Sequence, residues 1–530
     1  MWASFYATII GALVYWFFQR SRVKATHERI VQREGCLPLR CLQHKWYPPF
    51  GLDKLRKVTE AEKIKTYPLL MLGDHERYGD TYAQWGGSVY TVITRDPRNI
   101  RAMLSRQFKS FEIGSGRHGC VRPLLGDGIF TQDGSKWEAS RKLLAPMIQR
   151  PTLPELNLVE RHFQLLRNAM TSGLVSDRGP LVSPVAVNMK DLLLDLSLKL
   201  TTEFLLGKDL DSKMAPASST QWTDDFAAEF NVAFKWISKR ERLKAFYWLI
   251  DSVQFRKSCD VAQRLVDEAV CHAQELRKSR KLSGESYVAL DSLLHQEGDH
   301  ETVRDQFMNL LLAGRDTSGA LLCWAFYALS REPQVLIKMR KEIESMVGTD
   351  GRAPTKSELN SMTILDQFVT ETLRLFPPIP LNGRFSTEDT FLPHGGGEDG
   401  EAPILIPKRT LIAFSTFATH RSEDLYGRDA SRFNIGRWED HTKEQRMVDW
   451  SYHPFLGGPR KCLGERFAIT EAKYLICRAL QHFQEIIPID EDGNTLAFRS
   501  DGAWVDDVKY HVGLTMMPDA GLWLRFVPAF

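Results

Sequence analysis

The chain has no large excess of charge of either sign: 69 Lys and Arg face 66 Asp and Glu, a formal net charge of +3. That balance removes the overall electrostatic case for nucleic-acid binding. Its eight cysteines (Cys36, Cys41, Cys120, Cys259, Cys271, Cys323, Cys462, Cys477) form no C-x-x-C pair. Such scatter argues against a zinc site and a disulfide scaffold, and fits a reducing, cytosol-facing compartment. G-x-S-x-G, H-E-x-x-H and Walker A strings are missing, so hydrolase and nucleotide-hydrolase readings have no support. No Ser/Gly linker, long charge block or solenoid repeat divides the chain. What is present, 530 residues at 43% hydrophobic and 25% charged, suffices for one large buried core.

Charge is also missing locally. From Trp2 to Phe18 no residue is charged, and Arg20, Arg22 and Lys24 follow at once. A helix of that length, rising ~1.5 Å per residue, spans roughly the ~30 Å hydrocarbon core of a bilayer. The basic flank then places the bulk of the protein in the cytosol. A cleaved signal peptide fits less well, because the basic segment before the apolar run is absent and bulky, charged residues follow it. The expected organisation is a membrane anchor over 1–22, a Pro-rich hinge over 23–60 around Pro38, Pro48 and Pro49, and a catalytic domain over 61–530.

Within that domain the pattern predicts a mainly α protein with a small β region. Apolar residues recur every three or four positions over Trp137–Met147, Met189–Leu206, Val261–Arg277, Val303–Leu329 and Pro333–Met346. Short β-like runs lie at Ser88–Thr94, Pro403–Ile406 and Leu411–Phe414, and Gly395–Gly397 reads as a hairpin turn. Gly114-Ser-Gly-Arg-His-Gly119 matches G-x-G-x-x-G, but KSFEI before it is a poor buried strand. Pro123, Gly126 and Gly128 are expected to break any helix after it, leaving a loop over a substrate pocket.

The most specific segment is Pro454–Gly464, PFLGGPRKCLG, ahead of the periodic run ERFAITEAKYLICRAL. Its glycines permit close backbone approach to a flat ligand, and Cys462 stands just before a helix. The helix N-terminus with Arg460 and Lys461 is expected to favour thiolate, the metal-binding form. A lone Cys is more often a small core residue. Here the full string F-x-x-G-x-R-x-C-x-G is satisfied by Phe455, Gly458, Arg460, Cys462 and Gly464.

These residues resemble the haem-binding loop of the cytochromes P450, and further motifs follow in that family's order. Glu371 and Arg374 in TETLRLFPP share a helical face; the resemblance supplies Arg437 in RFNIGRW as their third partner, although Ile435 and Gly436 replace the family's frequent Pro and Glu. In LLLAGRDTSGALLCWAF, Thr317 alone would simply bond the carbonyl four residues back, and Gly314 would reflect close packing. The resemblance instead implies a local widening of the helix at Ala313-Gly314, with Asp316 and Thr317 as the acid–alcohol pair that relays protons. It assigns Trp137, Arg141, Arg460 and Arg384, the last on a loop after Pro380, to the haem propionates.

The implied protein is a cytochrome P450 fold behind a single N-terminal transmembrane helix, facing the cytosol from the endoplasmic reticulum. Haem b would be held through Cys462. Related animal enzymes carry a haem-esterifying Glu where this chain has Ala313, so no other covalent link is expected. With no flavin or nicotinamide fingerprint, electrons would come from NADPH through a partner reductase, with cytochrome b5 a further donor. Arg466, Lys473, Arg478 and Lys142 are candidates for a basic docking face. The strings PLLGDGIFTQDGSKWEASRKLLAPMI and LAGRDTS look most like the fungal branch that hydroxylates alkanes and fatty acids at or near the chain end. The alternatives are tailoring of a polyketide or other secondary metabolite and, from another class, a haem-thiolate isomerase or a haem sensor.

Overall fold

The computed structural model describes residues 23–42, 52–86, 89–149, 156–171, 175–176, 179–180, 186–206, 221–279, 293, 299–348, 351–439, 442–499, 502–519 and 521–529. From residue 52 onward the longer helices are α1 (Leu52–Lys63), α2 (Tyr67–Tyr78), α3 (Ser115–Leu125), α4 (Gly134–Ile148), α5 (Leu156–Thr171), α6 (Met189–Leu206), α7 (Gln221–Leu243), α8 (Val253–Ser279), α9 (His300–Leu329), α10 (Pro333–Val347), α11 (Thr363–Leu375) and α12 (Glu465–His482). Strands β1 (Thr81–Gly86), β2 (Val89–Thr94), β3 (Phe111–Glu112), β4 (Leu381–Ser386), β5 (Thr390–Gly396), β6 (Ala402–Ile406) and β7 (Leu411–Ser415) make most of the sheet structure. Five of them pair in the order β1-β2-β7-β4-β3. β7 runs parallel to β2, with Ile412 opposite Val92, and β5 and β6 form a separate antiparallel hairpin.

The 30-residue α9 is the axis of the molecule. Asp299 caps it by accepting from the Thr302 amide at 2.7 Å, and Leu321 to Phe326 are buried on every side, as befits a helix that is apolar all round. α11 starts differently: the Glu342 carboxylate on α10 accepts from the amides of Ile364 and Leu365 at 2.8 and 3.0 Å. A neighbouring helix thus supplies the partners that the first turn lacks.

The expected break at Pro123 does not occur, since α3 runs through it to Leu125. Proline removes the hydrogen bond to the carbonyl four residues back, and that carbonyl, Gly119 O, accepts from Arg240 Nη2 on α7 at 3.0 Å instead. Part of the expected hinge is also built into the body. Residues 23–34 are helical, Leu37 N donates to Pro403 O, and Leu42 N donates to Ala83 O. The Trp2–Phe18 run, Pro48 and Pro49 lie outside the described residues, among which no helix is long and apolar enough to cross a membrane.

Candidate active site

The loop carrying Cys462 is shaped by positions that tolerate no substitution of size. Leu456 and Gly458 adopt φ of 59° and 66°, turning the chain so that Cys462 N donates to Phe455 O and Lys461 N to Gly458 O, each at 3.0 Å. A Cβ at 458 would lie 1.9 Å from the Leu104 carbonyl oxygen, a backbone atom that cannot step aside. Cys462 emerges at the entrance to α12. Cys462 is one of the cysteines with open surface.

The neighbours expected to favour the thiolate act against a larger effect of burial, and two of them are engaged elsewhere. Lys461 reaches Glu465 at 2.6 Å. Arg460 turns away to Asp133 Oδ1 at 2.6 Å and Gln132 O at 3.0 Å. Burial therefore pushes the Cys462 thiol up, opposed only in part by the Gly464 amide, Arg141 and Lys461. A metal ion bound by Cys462 would favour its thiolate form.

Beside the thiol lies a concentration of positive charge. Arg460 sits 4.4 Å from the centroid of the buried Trp137 ring, and Arg141, one turn along α4 from Trp137, donates to Lys461 O at 2.9 Å. Arg384 lies on β4 (not on a loop), buried, and among the described residues its hydrogen-bond acceptors are Asn382 Oδ1 and Gly383 O, at 3.0 and 2.7 Å. Burial, then Arg460 and Arg117, push it down to about 9. Burial likewise pushes Arg460 down to about 10, with Asp133 opposing and Arg117 and Arg141 reinforcing. Asp133 acts on both Arg460 and Arg384, and Glu112 on Arg460, and among the described residues Arg117 Nε has no hydrogen-bond partner. The set suits a doubly anionic ligand, which bidentate arginines bind well. Arg117 and Asp133 were not among the residues expected from sequence.

On α9, Thr317 donates to Ala313 O at 2.5 Å, the bond a packed helical Thr makes. A Cβ on Gly314 would meet Thr201 Oγ1 of α6 at 2.1 Å, and one on Gly319 would meet Leu194 Cδ2 at 2.8 Å. α9 is helical throughout, and Gly314 serves close approach of α6. Asp316 is buried and paired with Arg315 at 2.9 Å, and Arg315 reaches Asn231 on α7 at 2.9 Å. Burial pushes the Asp316 carboxyl up, with Arg315 opposing.

Glu371 and Arg374 are fully buried and joined bidentately at 2.7 Å and 2.7 Å. Arg374 also donates to the carbonyls of His420, Ala430 and Arg432. Glu371 accepts from Asn434 N and Trp438 Nε1, each at 2.9 Å. Arg437 Nε lies 3.6 Å from Glu371 Oε1, while its Nη atoms bond Asp429 and the Tyr426 carbonyl. His420 extends this hub toward the cysteine loop, donating from Nδ1 to Arg374 O at 3.0 Å and accepting from His453 N at 3.0 Å, one residue before Pro454. Burial holds it neutral. Sequence gave no sign of His420, because its partners are remote in the chain.

The basic docking face is corrected by half. Lys473 and Arg478 are buried, paired with Asp366 at 2.6 Å and Glu160 at 2.9 Å. Lys142 and Arg466 are exposed.

Comparison with known proteins agrees with this architecture. The family model for cytochrome P450 matches residues 69–504. The chain is 36% identical over 505 residues to cytochrome P450 52A13 of Debaryomyces hansenii, covering 90% of this chain and 91% of that one. It is 38% identical over 417 residues to cytochrome P450 52A1 of Candida tropicalis, covering 76% and 74%. It is 35% identical over 479 residues to cytochrome P450 monooxygenase alt2 of Alternaria solani, covering 87% and 88%. The chain belongs to the cytochrome P450 family and is a monooxygenase whose cofactor is haem ligated by a cysteine thiolate. The open Cys462 sulfur and the cation-rich cradle fit that cofactor, with its iron and two propionates.

Proposed function

We propose that the protein inserts one oxygen atom from O2 at or near the end of a long aliphatic chain, an alkane or fatty acid, on the cytosolic face of the endoplasmic reticulum. The observation that carries the site assignment is the cradle of Arg117, Arg141, Arg384 and Arg460 around Trp137, adjoining the loop of Cys462. Haem bound there supplies the oxygen-activating chemistry, strengthened by thiolate donation. The arginines and Trp137 hold its propionates, while Phe455 and Gly458 shape the loop that presents Cys462. Thr317 and Asp316 hold and move protons, with Arg315 keeping the Asp316 carboxyl in place.

The aliphatic substrate is supported by the resemblance of the 123–148 and 312–318 strings to fungal alkane and fatty-acid hydroxylases. Between them α3, α7 and α9 bring Val121, Leu124, Phe230, Phe307 and Leu311 into one buried apolar cluster. Electrons come from NADPH through a partner reductase, with cytochrome b5 as a second donor, and the uncharged Trp2–Phe18 run anchors the protein. The test is NADPH and O2 consumption with reductase across a chain-length series of fatty acids and alkanes. Burial of each methylene contributes ~0.8 kcal/mol, so affinity rises with length until the pocket is filled. Flat length dependence, with turnover only on a ring-bearing metabolite, would favour a tailoring oxidase instead. Removing residues 1–22 releases the protein from microsomes with haem content intact; tight binding without them would refute the single-anchor reading.

A further inference from the structure

The segment between β3 and α4 is tied down at both ends and in the middle. At its ends, the Asp133 carboxylate accepts from Ile113 N and Gly114 N, each at 3.0 Å, as well as from Arg460. In the middle it is strapped to α9. Asp305 Oδ2 accepts from Asp127 N at 2.7 Å, its other oxygen taking Arg304. Asn309 accepts from Phe130 N at 3.0 Å and donates to Leu125 O at 2.9 Å and to Asp305 O at 2.7 Å. A third tie runs from Gln306 through Ser140 to Gln132, at 2.8 and 3.1 Å. These α9 side chains are buried.

The chain is built to let the strap close. A Cβ at Gly126 would fall 2.0 Å from Asp305 Cγ, and one at Gly128 would fall 2.3 Å from Asn309 Nδ2. Gly126 ends α3 with φ of 63°, a conformation that favours glycine in its own right. At Gly128 no such backbone demand exists, so contact with Asn309 is the reason for glycine there. The segment cannot shift as a free loop, because buried polar groups left without these partners each cost a desolvation penalty. The polar partners sit one and two turns before Ala313 on the helix that carries Thr317.

We propose that Asp305 and Asn309 are positioning residues that hold segment 113–133 as a fixed wall, setting how far an aliphatic substrate enters and so which carbon is oxidised. This rests on the aliphatic reading above. The strap fixes α3, with Arg117 in the propionate cradle and Val121 and Leu124 in the buried apolar cluster, relative to the helix that carries Thr317. Loss of the strap frees the wall while leaving the Cys462 loop and the Glu371 hub untouched.

The test uses the haem-loaded full chain with reductase and dodecanoic acid, comparing wild type, Asn309→Ala, Gly128→Ala and the double variant. Backbone amide exchange at Asp127 and Phe130 is expected to accelerate about tenfold or more in each variant. Haem content stays constant, and hydroxylation spreads over more carbon positions. The double variant is no worse than Asn309→Ala alone, because both changes break the same bonds. Unchanged exchange overturns the strap, and faster exchange with an unchanged product pattern overturns its role in positioning. Gly128→Ala alters no residue of α9 and decides the matter if Asn309→Ala does not fold. A wild type that leaves dodecanoic acid and its homologues untouched defeats the aliphatic reading separately, while the exchange result still judges the strap.

Discussion

Arg460 stacks on Trp137, 4.4 Å from the ring centroid, while its Nη2 holds Asp133 at 2.6 Å. One residue of the cysteine loop thereby joins α4 and the end of the pocket segment. The same guanidinium is pushed down by burial and by Arg117 and Arg141, so the cradle is destabilised by its own charge until an anion fills it.

Arg384→Met tests that tension. Replacing a buried charge that has no carboxylate partner by an apolar group of similar volume removes its desolvation penalty. The haem-free variant is therefore expected to melt higher than wild type while retaining haem less well. Thermal melting of apoprotein and the haem-to-protein ratio of purified holoprotein check the two halves. A lower melting point together with normal haem content would contradict the role given to Arg384.

Glu371→Gln is expected to leave Arg374 as an uncompensated buried cation. Breaking one partner of such a pair costs ~3–5 kcal/mol, a large share of a domain's stability. Little folded, haem-loaded protein should accumulate. Arg437→Lys, which retains the positive charge, is expected to cost less. Near wild-type urea midpoints for Glu371→Gln would refute the hub.

Glu471 gives a pH prediction. Burial pushes its carboxyl up from 4.5 to about 8, with the Ser318 hydroxyl only partly opposing. Between those values the unfolded chain has lost this proton and the folded chain has kept it. Stability therefore falls as pH rises across that window and levels off above about 8. One proton is worth at most about 1.4 kcal/mol per pH unit. Urea unfolding at pH 5.5, 6.5 and 7.5 should show a shallower decline in Glu471→Gln; equal slopes would exclude the proton uptake.

Thr317 already satisfies its donor on Ala313 O, so Thr317→Ala should change haem binding and substrate affinity only modestly. Positioned proton transfer typically contributes ~10²–10⁴-fold, and its loss should appear as peroxide release with less product per NADPH. Thr317→Ser should recover much of the coupling. Wild-type coupling in the Ala variant would make Thr317 a packed helix residue only.

Local pattern made much of this molecule legible. The bounds of α6 follow from apolar periodicity alone, and α9 and α10 extend their expected ranges by at most three residues. The cysteine loop was legible because glycine, arginine and cysteine at fixed spacing leave few other readings. What escaped was set by contacts between distant parts of the chain. Arg240 rescues the Pro123 helix from 121 residues away, and His420 links Arg374 to His453 through backbone atoms. Lys473 and Arg478, candidates for a docking face by their charge, lie on a helix that is buried from Thr470 to Leu480.

The most direct measurement is the carbon monoxide difference spectrum of the reduced protein, wild type against Cys462→Ala and Cys462→His. The wild type should show the red-shifted band of thiolate ligation. Both variants should lose it, with no rescue from the other cysteines. Retention of the thiolate-type band in Cys462→Ala would contradict Cys462 as the iron ligand, and with it the site built around that residue.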